Sequence, residues 1–161
     1  MIQDLKKHNH LLAALPAYER ERLMMQMERV EMPLGQVVHE AGGAQTQAYF
    51  PIDCIVSMLY VLKDADTAEV AIVGHDGMIG MALITGGDSS PYRAVVQASG
   101  TARRMKALIL RDAFRRRQAF QELLLRFNQA SSVQLGTAAA RTRPHHPETP
   151  LAPRLLPRCA S

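Results

Sequence analysis

The sequence predicts an α+β chain in which short helices lead into an antiparallel barrel or jelly roll of short strands, followed by a longer helix. Three observations carry this. Between Arg29 and Leu108 apolar residues recur mostly at every second position, in short runs separated by glycine and proline turns with no long helix between them. That spacing suits antiparallel strands that close or fold over on themselves. Before Arg29 and after Leu108 the apolar period is helical. Finally, 161 residues at 47% hydrophobic are enough for one domain with its own core, which at this size buries roughly 70% of the unfolded surface.

Taken in order, Asn9 is an N-cap for His10 to Leu15, and Pro16 separates this short helix from a second, Ala17 to Met27. On the second helix Leu23, Met24 and Met27 share one face and Glu19, Arg20, Glu21 and Arg22 the other. Strands are expected at Val30 to Leu34, Val37 to Glu40 and Ala48 to Phe50, ended in turn by Gly35, by Gly42-Gly43 and by Pro51. Cys54 to Leu62 is almost wholly apolar, which predicts a strand buried on both faces. Lys63-Asp64-Ala65-Asp66 is a hairpin turn into Ala68 to Ile72. Two further β runs, Arg93 to Ser99 and Thr101 to Leu108, meet at Gly100. Ile109 to Arg117 is a short amphipathic segment, and Phe120, Leu123, Leu124 and Phe127 at i, i+3, i+4, i+7 begin the long helix.

Composition narrows the function classes. Aromatics are 5% and there is no Trp, so aliphatic residues and nine Met must fill the core. No apolar run reaches the roughly 18 residues of a membrane span, and Met1 to His10 is too polar for a signal peptide, so the expectation is a cytoplasmic protein without a membrane partner. Cys54 and Cys159 form neither a disulfide framework nor a C-x-x-C motif, and Cys54 is expected in the core as a reduced thiol. The net charge of +4 is unevenly spread: residues 1–100 carry 7 Lys/Arg against 12 Asp/Glu, and residues 101–161 carry 12 against 3. A basic C-terminal part fits nucleic acid nearby, a solvated helix face or an arginine-rich tail. Residues 141–161 hold five of the nine prolines and four arginines, a density that fits an extended, disordered tail. Arg141-x-x-Pro144-x-x-Pro147 also has the spacing of a polyproline ligand, with nothing else in the chain to support that partner.

Half of the ten glycines fall between Val73 and Ala94, in VGHDGMIGMALITGGDSSPYRA. Glycine lets a backbone adopt positive φ and approach a ligand closely, so two glycine turns around a short apolar segment can line a pocket. Arg93, the only basic residue between Lys63 and Arg103, closes its far end. Alternatively Arg93 forms an ion pair with Asp76, Asp88 or Glu69. His75 and Asp76 lie in a turn without a nucleophile, and the pairs His8/His10 and His145/His146 lack the Cys or carboxylate company of a metal site. No catalytic or metal-ligating set can be assembled, so the chain is read as a non-enzyme.

The segments NHLLAAL (Asn9–Leu15), PLGQVV (Pro33–Val38), AYFP (Ala48–Pro51), IVSML (Ile55–Leu59), GHDGMIGM (Gly74–Met81) and RAVVQ (Arg93–Gln97), in this order, resemble the Crp/Fnr family of bacterial transcription regulators. The resemblance covers about residues 9 to 138. It implies a double-stranded β-helix, a jelly-roll-like β-roll, for the sensor domain (residues 1–118 with its N-terminal helices), and a dimerisation helix over 119–140 ahead of the 141–161 tail. It also implies an effector site at Gly80, Met81, Ala82, Arg93 and Ala94. In members that bind cyclic nucleotide, a glycine at a helix start and an arginine meet the phosphate, and here these are Gly80 and Arg93. The glutamate that accepts from the ribose is replaced by Met81, and the small hydroxyl residue after the arginine by Ala94. Loss of a hydrogen bond to a charged acceptor weakens binding by roughly ten- to a hundred-fold, which argues against cyclic AMP or GMP. The effector is therefore an unidentified small molecule, and no cofactor is named.

The same resemblance implies a homodimer with Phe120, Leu123, Leu124 and Phe127 at its interface. It further implies that DNA is met only through a winged helix-turn-helix domain, which this sequence does not contain. Where the family continues into that domain, the chain turns at Ala140-Arg141 into an aperiodic Arg/Pro/His stretch, as a frameshift or premature end would produce. The expected function is effector sensing for a DNA-binding regulator; the alternative is a stand-alone sensor or dimerisation module acting on full-length partners.

Overall fold

The computed structural model describes residues 8–142, with side chains to residue 131. The Pro/Arg-rich stretch from 143 onward, with Cys159 and His145/His146, lies outside the described residues. Asn9 begins the fold. Its backbone is extended and its Oδ1 accepts from Leu12 N at 3.1 Å, capping α1 (His10–Ala13). Its Nδ2 donates to Pro51 O and Gly77 O, both at 2.8 Å, so a helix cap also ties together points 42 and 68 residues away. α2 (Ala17–Met24) follows, ending one turn before the predicted Met27, although Met27 is itself buried.

Seven antiparallel strands are described, in two sheets. One has the order β1-β7-β3, from β1 (Glu28–Met32), β7 (Gly100–Lys106) and β3 (Gln47–Pro51). The other has the order β2-β6-β4-β5, from β2 (Val37–His39), β6 (Tyr92–Ala98), β4 (Ile55–Val61) and β5 (Thr67–Val73). The strands β1 to β4 alternate between the sheets, β4, β5 and β6 stay in one, and β7 returns to the other, which gives a jelly-roll-like β-roll whose sheets do not close into a barrel. The β4–β5 hairpin turns at the predicted place, with Leu62 N donating to Asp66 O and Ala65 at φ 65°. Ser99, rather than Gly100, separates β6 from β7. Gly100 is the first residue of β7, where a Cβ would lie 2.6 Å from Asp53 Oδ1 and from Cys54 N.

The core has two parts. Met32, Cys54, Val56, Ile79, Ala94, Val96 and Ala102 pack between the sheets. On the other face of the three-stranded sheet Ala48, Phe50 and Met105 meet Leu11, Leu12 and Leu23 of the N-terminal helices, and Leu110, Phe120 and Leu124 of α4 (Ala107–Arg116) and α5 (Gln118–Thr142). Each buried Val, Leu, Ile, Phe or Met side chain among these contributes about 1.5–3 kcal/mol. The prediction that Cys54 to Leu62 is buried on both faces is corrected here. Val56 and Ser57 are buried, but Ile55, Tyr60, Val61 and Leu62 are 39–46% exposed. Hydrophobicity along a strand does not say which sheet receives the helices, and this core forms on the three-stranded one. As predicted, Cys54 is a buried free thiol, and burial pushes its pKa up to about 11.

Candidate functional site

The glycine-rich window is held from three sides. From α1, Asn9 holds Gly77 O, while His10 N donates to His75 O at 2.6 Å and the two imidazole rings lie 4.1 Å apart. From β3, Tyr49 exchanges backbone hydrogen bonds of 2.9 and 2.8 Å with Ile79. From α5, Phe127 lies against Gly77 so closely that a Cβ there would meet its ring at 3.1 Å. Gly80 has φ +113°, and a Cβ on it would come within 3.1 Å of Ala48. The chain needs glycine at this point to pass β3, before any ligand is considered. One turn of helix follows, α3 (Ala82–Thr85), ended by Gly86 in the left-handed conformation.

A cavity of about 440 Å³ opens between this window, the inner face of the four-stranded sheet and α5. Met58, Ala71 and Tyr92 line it from the sheet, Gly80, Met81 and Ala82 from the window, and Phe127, Asn128, Ala130 and Ser131 from α5. His39 and Gln45 complete the wall, and Asp76 is its acidic member. Among the described residues, none that lines it is Lys or Arg. Three of the five expected effector residues are therefore together.

The other two are elsewhere. Ala94 is fully buried in the core between the sheets. Arg93, next to it on β6, is not among the lining residues, and its Nε lies 3.0 Å from Glu40 Oε2. The contact is off the N–H direction, so Nε–H is buried without a hydrogen-bond acceptor. With side chains 36% and 61% exposed, such a pair contributes at most about 1 kcal/mol. Its partner is none of the three carboxylates considered from sequence: Asp76 lines the cavity and Glu69 accepts from Ser57 Oγ at 2.8 Å. Asp88 is the one whose carbonyl takes Gln45 N–H.

Sequence reasoning missed His39 and Gln45. Strict alternation from Val38, which packs on the core between the sheets, would send His39 outward. A bulge prevents this: Val37 pairs with Val95 and His39 with the adjacent Ala94, which turns His39 inward. Burial holds its imidazole below the ordinary value, against the opposing pull of the Glu40 carbonyl and carboxylate. Its Nε2 is buried without a partner. Gln45 is 7% exposed, and its Oε1 is likewise buried and unpartnered. The turn residues Gly42-Gly43 just ahead of it were the available signal. Of the expected dimer residues, Phe120 and Leu124 are fully buried against this chain's own core, while Leu123 and Phe127 are partly buried. Among the described side chains of α5, Leu125 is the large apolar one left half exposed.

Two antiparallel sheets, a glycine turn pinned to β3 and a helix walling the cavity can be compared with known proteins. No protein-family model matches the sequence, and no curated protein matches it. Solved structures do. The N-terminal domain of a transcriptional regulator from Streptomyces coelicolor is 18% identical with a TM-score of 0.61, covering 84% of this chain and 94% of that one. A cyclic nucleotide-binding domain from Methylobacillus flagellatus is 14% identical with a TM-score of 0.63, covering 87% and 80%. The chain has the cyclic-nucleotide-binding fold. The c-di-GMP-responsive global regulator CLP of Xanthomonas campestris shares this fold at 19% identity and a TM-score of 0.59, covering 80% of this chain; this chain spans 61% of the length of CLP. The structural neighbours of the fold thus include Crp/Fnr-type regulators as well as cyclic nucleotide-binding domains. Among the described residues no helix is long and apolar enough to cross a membrane.

Proposed function

We propose that this chain is the effector-sensing domain of a Crp/Fnr-type transcription regulator and acts by regulation, not catalysis. The observation that carries the reading is the composition of the cavity wall. Four residues of α5 line it, and Phe127 rests on the same glycine turn whose Gly80, Met81 and Ala82 form another wall. A small molecule that fills the cavity contacts sheet, turn and helix at once. It can shift the helix only through a difference in affinity between two helix positions. The helix would then pass the signal to a second copy and to a DNA-binding domain.

Cyclic AMP and GMP are poor fits for this site, because Met81 supplies no carboxylate and, among the described residues, no Lys or Arg lines the cavity. Titration calorimetry should give no micromolar binding of either nucleotide. In the proposed dimer, the open sides of Leu123 and Phe127, one turn apart on α5, form the contact, since Phe120 and Leu124 are spent in the core. Light scattering after size exclusion should give a dimer that Leu123→Glu weakens; a strict monomer would remove this contact.

The reading as a sensor is tested by a thermal-shift screen of small metabolites followed by hydrogen exchange. At 100 times its Kd a ligand adds about 2.7 kcal/mol of stability. It should also change the exchange of amides in α5 near Phe127. Stabilisation by cavity ligands with no change in α5 would rule the sensor reading out.

A further inference from the structure

The one-turn helix α3 has a second side. Met81 and Ala82 at its start line the cavity, whereas Leu83 and Ile84 line a groove of about 510 Å³ between α3 and α4. Two cations stand in this groove, Arg111 and Arg115. They are four residues apart on α4 and so share one face. Arg111 is fixed in place, because its Nε donates to Leu83 O at 2.9 Å. Among the described residues its two Nη groups have no partner, and neither is buried, so both stay open to solvent. A guanidinium held at Nε still presents its two parallel Nη donors, the end that matches a carboxylate or phosphate, with little freedom left to lose. Arg115 is exposed and makes no ion pair among the described residues. Its neighbour Arg116 is different: its Nε lies 2.8 Å from Asp112 Oδ1, and it does not line the groove.

The other walls suit a small molecule. Gly86 has φ +112°, and a Cβ there would meet nothing within 4 Å, so a ligand can come up to the backbone. Ile84 and Phe114, both partly buried, supply apolar surface. Asp88 is the one acid of the lining, which leaves two positive charges against one negative.

We infer that the groove between α3 and α4 is a second ligand site, separate from the cavity, and that it takes a small organic anion. The carboxylate or phosphate group meets Arg111 and Arg115, and the apolar body lies against Ile84 and Phe114. The inference does not rest on the reading of the cavity as an effector site. The two sites differ in charge, since among the described residues no Lys or Arg lines the cavity.

The experiment uses the whole chain, isotope-labelled at nitrogen and at the methionine methyl groups. The backbone amides of Gly86 and Gly87 and the Nε–H of Arg111 report on the groove, and the Met58 methyl on the cavity. The probes are phenyl phosphate, benzoate and benzyl alcohol. A probe of about ten heavy atoms at ordinary ligand efficiency has a Kd of about 1 mM. At least one of the two anions should shift the groove signals with a Kd in this range and leave Met58 in place; which of them binds more tightly tells a phosphate ligand from a carboxylate. Benzyl alcohol, a ring without the anion, should bind about ten-fold more weakly or not at all. Arg115→Gln, at an exposed position, should weaken the anion about five-fold without changing Tm, and Arg111→Gln about ten-fold. Arg116→Gln removes the same charge from the same helix outside the lining, and at physiological salt should change the affinity by less than about two-fold.

Equal losses in Arg115→Gln and Arg116→Gln would reduce the binding to the general charge of α4 and overturn the site. Benzyl alcohol binding as tightly as the anions would overturn the ligand class. Shifts at Met58 without shifts at Gly86, Gly87 and Arg111 would put the anion in the cavity and overturn the inference, as would no binding of either anion at about 10 mM.

Discussion

Asn9→Ala should be the most damaging conservative change near the site, and its cost can be built up bond by bond. The side chain is 1% exposed and makes three hydrogen bonds, accepting from Leu12 N and donating to Pro51 O and Gly77 O. Losing the cap costs about 1 kcal/mol. Each buried carbonyl that loses its donor costs about 1–3 kcal/mol, nearer the lower end where the second lone pair is occupied. The sum is about 3–5 kcal/mol, which for a domain of this size lowers Tm by roughly 6–20 °C. Asn9→Asp separates the parts. It keeps the acceptor that caps α1 but turns a carboxylate toward two carbonyl oxygens. Its deficit should match that of Asn9→Ala at pH 7 and shrink at low pH, since the raised carboxyl pKa makes protonation favourable in the folded state and a protonated acid can donate once. Urea denaturation of the three proteins at pH 7 and pH 4.5 measures this. A loss under about 1 kcal/mol for Asn9→Ala, or an Asp variant as stable as the parent at pH 7, would show that Asn9 does not tie α1 to the glycine turn.

Three further outcomes follow. Gly80→Ala should cost about 1–3 kcal/mol in denaturant unfolding, because φ +113° is strained for alanine and the methyl would press on Ala48 at 3.1 Å; a neutral result would mean the turn relaxes away from β3. His39 has a folded pKa below its unfolded value of 6.5, so the unfolded chain takes up the proton first, and stability should fall as pH drops from about 7 toward 5. His39→Phe should flatten that slope relative to the parent, and an unchanged slope would deny the burial of this imidazole. Cys54, buried and with a pKa near 11, should resist a thiol reagent at pH 8 in a Cys159→Ser background until the chain unfolds; rapid labelling in native buffer would contradict its place between the sheets.

Much of this was legible in the sequence where local chemistry decides the outcome. The Asn9 cap, the turn between Lys63 and Asp66 and the glycine window follow from backbone preferences that packing did not override. The reading is weaker where a side chain's fate depends on a distant element. The apolar run of β4 predicts burial on both faces, yet its far end is exposed, because the covering helices belong to the other sheet. The stripe Phe120, Leu123, Leu124, Phe127 is legible as a contact face, but helical period alone does not distinguish a second copy from the chain's own core. In the same way, the carboxylate near Arg93 cannot be chosen from sequence. That choice depends on register, and a bulge at β2 sets the register.

That bulge also separates architecture from specificity in this site. Gly80 is accounted for by its passage over Ala48, and Gly77 by Phe127, with no ligand involved. The glycines that carry the family resemblance are thus residues any chain needs in order to wrap this turn against β3 and α5. They can persist while the ligand changes. The side chains left to shape the cavity wall are those the turn does not require, among them His39, Gln45 and Met81. None of the three is demanded by the backbone. A change of effector within this fold therefore needs few substitutions, on strand ends and beside turns, with the glycine framework left intact.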